Sequence, residues 1–145
     1  MFPKAQNHPD WLRDNRTDDS LTWVGHDTFL LQLGGLNILT DPHFTHRTSP
    51  SRWLGPERLA PLGLELRDLP AVDLVLVSHN HYDHLDRASV CWIARHNPQA
   101  LFVVPLGVRR WMLRHGIRNT VELDWWQSHQ AAGTRITSEI GRAHV

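Results

Sequence analysis

Six consecutive residues, His79-Asn80-His81-Tyr82-Asp83-His84, bring three imidazoles and a carboxylate together in the pattern H-x-H-x-D-H. Neutral imidazole and carboxylate jointly suit zinc, iron or manganese, so a cluster this dense predicts a metal site rather than a solvated loop. The ligands are offset along the chain. In a turn, His79 and His81 can grip one ion while Asp83 and His84 reach a second. A centre with two ions about 3.5–4 Å apart lowers the pKa of water, so that a nucleophile exists at neutral pH, and offsets charge on an attacked ester. Phosphodiester hydrolysis is the reaction that most needs both effects. Asp83 is also placed to orient the attacking oxygen or to protonate the leaving one, which makes it the candidate catalytic residue.

A strand must hold this loop. Leu74-Val75-Leu76-Val77-Ser78 is apolar on consecutive positions and partly β-branched, as in a strand covered on both faces. The ligands then follow the carboxyl end of a central strand, where open α/β sheets place their chemistry. Upstream, residues 21–24 and 28–33 alternate as strands, Gly34-Gly35 supplies the positive φ of a tight turn, and residues 36–40 complete an antiparallel meander. Residues 41–70 carry four prolines besides Pro42 and read as a long loop, and loops of that length in compact domains are usually functional. His46, Arg47, Arg52, Trp53 and Arg58 in it combine guanidinium and aromatic groups that can hold a phosphate or dip into a headgroup layer. The simpler expectation is a solvated loop with Trp53 tucked inward.

Downstream, Asp86 caps a helix over residues 87–96 that Asn97-Pro98 ends. Residues 101–104 form another buried strand. Residues 107–115 form a helix with Val108, Trp111 and Met112 on one face and Gly116 after its end. Residues 121–123 and 135–137 are further strands. Trp23, Trp111, Trp125 and Trp126 are expected to pack the interior, with Asp124-Trp125-Trp126 also able to border the cleft. The fold class is α/β, an antiparallel start followed by strand–loop–helix alternation, without repeats.

With those landmarks in place, the chain resembles the metallo-β-lactamase superfamily, whose signature is H-x-H-x-D-H after a buried strand. Thr22-Trp23-Val24-Gly25-His26, Leu39-Thr40-Asp41-Pro42, Ser49-Pro50, Gly55-Pro56-Glu57-Arg58, Pro105-Leu106-Gly107 and Glu122-Leu123-Asp124-Trp125-Trp126 narrow the likeness. They are similar to the branch holding N-acyl-phosphatidylethanolamine-hydrolysing phospholipase D, from about Leu21 to Thr137. The resemblance implies the N-terminal half of an αβ/βα sandwich with two zinc ions, iron or manganese being the alternatives. Its substrate would be a phospholipid, cleaved to phosphatidic acid and an N-acylethanolamine. A soluble small molecule, as for the related lactonases, and a non-catalytic truncated product are the competing expectations. Asp41 resembles the family aspartate beneath the metal loop, a second layer fixing a histidine tautomer, and His26 is assigned beside it. The family also uses a histidine after the strand at 135–137, a bridging aspartate and a later histidine. His129 precedes that strand and matches no ligand position.

The resemblance divides the chain into a polar N-terminal extension (1–20), a truncated domain (21–138) and a tail (139–145). Ile140 to Val145 can be encoded by ATC GGA AGA GCA CAC GTC, which matches a sequencing adapter, so this tail, His144 included, is expected to be non-native and the 145-residue chain inactive. At 41% hydrophobic and 21% charged residues the composition is globular. Fifteen basic against fifteen acidic residues leave no electrostatic footprint for nucleic acid. The single cysteine, Cys91, excludes an internal disulfide and reads as core filler. Neither an apolar signal core nor a run long enough to span a bilayer is present. A cytoplasmic protein, at most touching a membrane peripherally, is the expectation.

Overall fold

The computed structural model describes residues 7–49 and 53–139. The suspected tail from Ile140 onward, and Pro50 and Arg52 of the long loop, lie outside the described residues. One six-stranded mixed sheet organises the chain, in the spatial order β1-β2-β3-β4-β5-β6. Its strands are β1 (Ser20–Gly25), β2 (Thr28–Leu33), β3 (Leu36–Thr40), β4 (Leu74–Leu76), β5 (Leu101–Pro105) and β6 (Thr120–Leu123). The first two pairings are antiparallel and the remaining three parallel. Gly34 and Gly35, at φ +57° and +80°, make the β2–β3 reversal that only glycine adopts at little cost.

The parallel half is apolar because helices cover it. Helix α2 (Arg87–His96) links β4 to β5, and α3 (Arg109–Arg114) links β5 to β6. Asp86 caps α2, its carboxylate accepting from the backbone N–H groups of Ala88 and Ser89. Val90 and Ile93 of α2 and Met112 of α3 join Leu30, Leu39, Val75, Phe102 and Val104 of the sheet in one buried cluster. Cys91 packs against its edge, and burial pushes its thiol pKa up, which suits a packing residue rather than a nucleophile.

Three features depart from the sequence reading. The segment taken as a polar extension forms helix α1 (Pro9–Asp14), whose Leu12 is buried in the same core. Asn15, just beyond it, donates to Gln32 Oε1 at 2.8 Å, and Gln32 Nε2 returns bonds to the carbonyls of Leu12 and Asn15. A separate hairpin pairs β7 (Ser128–Ala131) with β8 (Thr134–Thr137), and β7 is a strand that no pattern in the sequence marks. The tryptophans are mostly not interior: Trp23, Trp125 and Trp126 are 49%, 64% and 66% exposed, and Trp53, expected inward, is 84% exposed. Trp23 faces outward because it alternates with Val24, sharing its face with the exposed Leu21 and Leu33. Among the described residues no helix is long and apolar enough to cross a membrane.

Candidate metal centre

The metal loop starts where β3 and β4 end side by side. Asp41 N–H donates to the Leu76 carbonyl at 2.8 Å, which extends the parallel pairing past the last strand residue. Asp41 then turns with φ +37°, a conformation that aspartate tolerates better than most side chains. Its carboxylate, buried beneath the loop, accepts from Ser78 N–H and Ser78 Oγ, each at 2.7 Å, and from His84 Nδ1 at 2.9 Å. A carboxylate accepts from Nδ1 only if that nitrogen carries the proton, so Asp41 leaves the His84 Nε2 lone pair facing away from it.

The rest of the loop folds over this anchor. The N–H groups of His84 and Leu85 both reach the His81 carbonyl, at 3.0 and 2.7 Å, closing a helical turn over the H-x-H-x-D-H segment. That turn brings the expected ligands together. His79 Nε2 lies 3.1 Å from His81 Nδ1, and the rings of His79 and His84 are 3.9 Å apart. Ser78 Oγ also contacts His79 Nδ1 at 2.9 Å. Partial burial, with His84 and His81 nearby, holds His79 below the usual imidazole pKa, so it is neutral and available as a ligand at pH 7.

A second element approaches from the N-terminal side. The β1–β2 turn carries His26, whose Nε2 donates to Asp83 Oδ2 at 3.0 Å. Burial alone would raise the Asp83 pKa, but the His26 hydrogen bond, a backbone bond and the neighbouring His84 outweigh it and hold the carboxyl below its ordinary value. All six residues singled out in the sequence, His26, Asp41, His79, His81, Asp83 and His84, therefore meet at one end of the sheet. The donor set fits a divalent metal. His26, Asp83 and His84 each offer a ligand atom within 4.8 Å of the others, and His84 is pre-oriented by a carboxylate, as metal-bound histidines usually are.

Sequence reasoning missed several participants. Asp27, next to His26, puts Oδ2 3.3 Å from His84 Nε2. Ser78 bridges Asp41 and His79. His43 is buried and accepts at Nδ1 from Arg58 at 2.8 Å, and Arg58 also donates to the His43 carbonyl at 2.5 Å. Burial, followed by the Arg58 guanidinium, lowers the His43 pKa. These contacts fasten the long loop beside the site. A cavity of about 1150 Å³ opens there between that loop and α2, lined among others by Arg47, Tyr82, Arg87 and Trp111. Only the side-chain types of the loop hinted at this; its path could not be read from the sequence.

Residues 36–142 match a sequence profile described as a beta-lactamase superfamily domain. The chain belongs to the beta-lactamase superfamily. Within it, the chain is 45% identical over 114 residues to N-acyl-phosphatidylethanolamine-hydrolyzing phospholipase D 1 of Caenorhabditis elegans, an alignment covering 75% of this chain and 32% of the relative. The mitochondrial enzyme of the same name from Saccharomyces cerevisiae is 39% identical over 114 residues, covering 75% of this chain and 23% of the relative. The chain thus spans a third or less of the length of these curated relatives. Among solved structures, CmlA, a diiron beta-hydroxylase from Streptomyces venezuelae, superimposes with a TM-score of 0.63 at 25% identity, over 83% of this chain and 23% of that one. Igni18, a metallo hydrolase from Ignicoccus hospitalis, shares the fold with a TM-score of 0.54 at 23% identity, over 77% of this chain and 42% of that one.

Proposed function

We propose that this chain carries the first part of the metal centre of a metal-dependent hydrolase, a phosphodiesterase that uses two zinc ions on an N-acylated phospholipid. The observation that carries the reading is the 45% identity to a phospholipase D of that specificity, over a stretch of 114 residues. The clustering of His79, His81, Asp83 and His84 at the carboxyl end of β4 supports it.

When bound, the metal pair supplies Lewis acidity toward the phosphoryl oxygens and lowers the pKa of water. The chain's own residues prepare that chemistry. His79 and His81 serve as ligands for one ion, with Ser78 Oγ orienting His79 through Nδ1. Asp83 and His84 serve the other, and Asp41 fixes His84 with its Nε2 lone pair directed into the site. Asp83, kept ionised, can also accept a proton from the attacking water at Oδ2 and pass it to the leaving oxygen. Arg47 and Arg87 in the adjoining cavity are suited to a phosphodiester anion, and the exposed Trp53 and Leu54 to peripheral contact with a lipid surface.

The test is hydrolysis by the zinc-loaded gene product that contains these residues. It should cleave N-acyl-phosphatidylethanolamine in mixed micelles to phosphatidic acid and an N-acylethanolamine, and leave a panel of lactones untouched. Lactone turnover without phosphodiester cleavage would replace this reading with one of a soluble substrate.

A further inference from the structure

The metal loop also forms a wall of the neighbouring cavity. Asn80 and Tyr82, which stand between the expected ligands in sequence, line that cavity of about 1150 Å³. Such a volume exceeds the ~300–1,000 Å³ of common small-ligand pockets, so it suits a large ligand. Its floor is apolar. Leu85 and Val108 are buried members of the core, and Trp111 packs against the same core while lining the cavity. The His115 ring lies 4.0 Å from the Trp111 ring and its Nδ1 donates to the Trp111 carbonyl at 2.9 Å, which steadies the indole. At Gly107, where a side chain would meet nothing within 4 Å, the wall is bare backbone that a ligand can approach.

The cavity also holds one uncompensated charge. Arg47 is committed to the Gly55 carbonyl and to Glu57. Asp86 is turned to the start of α2, accepting from the N–H groups of Ala88 and Ser89 and from Ser89 Oγ. Arg87 is left with no ion pair or hydrogen bond among the described residues, exposed at the first position of α2 in a turn that carries no acid. A cation at that end opposes the helix dipole, and a bound anion relieves the conflict.

We propose that this cavity is an amphiphile subsite, in which the Arg87 guanidinium holds a phosphate anion and the floor of Leu85, Val108 and Trp111 holds the alkyl chain attached to it. The inference rests on the lipid substrate proposed above and names the residues that select it. A water-soluble phosphate ester gains only the guanidinium, whereas an acylated one gains the floor as well. Burying one methylene is equivalent to about fourfold in affinity, so the floor discriminates more strongly than the charge once the chain exceeds a few carbons.

Calorimetric titration of the metal-free 145-residue chain with butyl, hexyl and octyl phosphate, each below its micelle concentration, tests this without turnover. Affinity should rise about two- to fourfold per added methylene, and octyl phosphate should bind at least about tenfold tighter than inorganic phosphate. Arg87→Gln should weaken octyl phosphate about tenfold, as loss of a charged hydrogen bond does, and leave octyl glucoside within about twofold. Trp111→Ala should flatten the dependence on chain length. Ala88→Glu, which adds an anion inside the cavity at a helix position that favours one, should weaken octyl phosphate by about tenfold or more. Arg110→Gln, exposed and outside the cavity, should bind as the parent does. Arg87 and Ala88 are exposed, so their variants stay folded, and circular dichroism checks this for all four. No binding of octyl phosphate, equal affinity for octyl and inorganic phosphate, binding only above the micelle concentration, or equal losses in Arg87→Gln and Arg110→Gln overturns the subsite. Hydrolysis of N-acyl-phosphatidylethanolamine by the zinc-loaded gene product is a separate measurement, so the function proposed above stands or falls independently of these outcomes.

Discussion

Replacing Asp41 by asparagine would show how far one buried carboxylate organises the metal centre. Asparagine keeps the shape and tolerates the positive φ at this position, so the substitution removes charge without adding backbone strain. Its carbonyl oxygen can still accept from Ser78 N–H. The amide nitrogen takes the place of Oδ2 and presents donors where Ser78 Oγ and His84 Nδ1 now donate. Ser78 can rotate its hydroxyl, and His84 can move its proton to Nε2, but all three charge-assisted bonds become ordinary ones. Hydrogen bonds to a charged group contribute about 1.5–3 kcal/mol and neutral ones about 0.5–1.5, so the loss is about 3–4.5 kcal/mol. Spread over a chain of this size, that lowers Tm by about 10–15 °C. The tautomer change matters more to function, because His84 Nε2 would then carry a proton where a ligand lone pair is needed. Metal affinity should drop about 10- to 100-fold. Thermal denaturation followed by circular dichroism, with cobalt(II) titration of the same sample, measures both. A variant with parental Tm and parental metal affinity would refute the role given to Asp41.

In the intact zinc-loaded protein, His81→Ala or Asp83→Ala should abolish phosphodiester hydrolysis with an unchanged circular dichroism spectrum, because neither side chain lies in the core; an unaltered rate in either variant would reject the ligand assignment. His43 makes stability depend on pH. Its folded pKa lies below the ordinary 6.5, so its contribution is complete above about pH 6.5 and is lost as pH falls through the lowered folded value, where a second cation must form beside Arg58. Urea midpoints should therefore decline from about pH 7.5 to about pH 5, and less steeply in His43→Gln, whereas parallel declines would remove His43 as a cause. Gly63→Ala should destabilise by about 1–3 kcal/mol, because the new methyl would stand 2.7 Å from the Trp23 carbonyl oxygen, whereas at Gly116, which has open space and φ +81°, only the backbone penalty of about 1 kcal/mol applies. Denaturant titration of both variants checks the order of the two losses.

Local sequence marked some elements clearly because their physics is local. Consecutive apolar residues announced β4 and β5, and Asp86 with Asn97-Pro98 bounded α2 at both ends, since a cap and a breaker act within one turn of chain. Strand β7 left no such mark. Ser128-His129-Gln130-Ala131 has no apolar alternation, and it is a strand because β8 pairs with it across Ala132 and Gly133, both at positive φ. Helix α1 did carry a start signal, Pro9-Asp10, but only Leu12 of its residues is buried, too little periodicity to stand out from a polar segment.

The same division runs through the metal centre. His79, His81, Asp83 and His84 were legible because six consecutive residues contain them, whereas Asp27, Ser78 and the contacts of Asp41 and His26 depend on strand order. That order settles their location. Strand β3 runs parallel to β4 and so ends beside it, and the two antiparallel reversals before β3 put the β1–β2 turn at the same end of the sheet. Any side chain on that turn must approach the loop that follows β4, although His26 and Asp83 are 57 positions apart in sequence. The N-terminal meander therefore fixes one wall of the metal centre by its connectivity, and His26 and Asp27 are the residues the chain places on that wall.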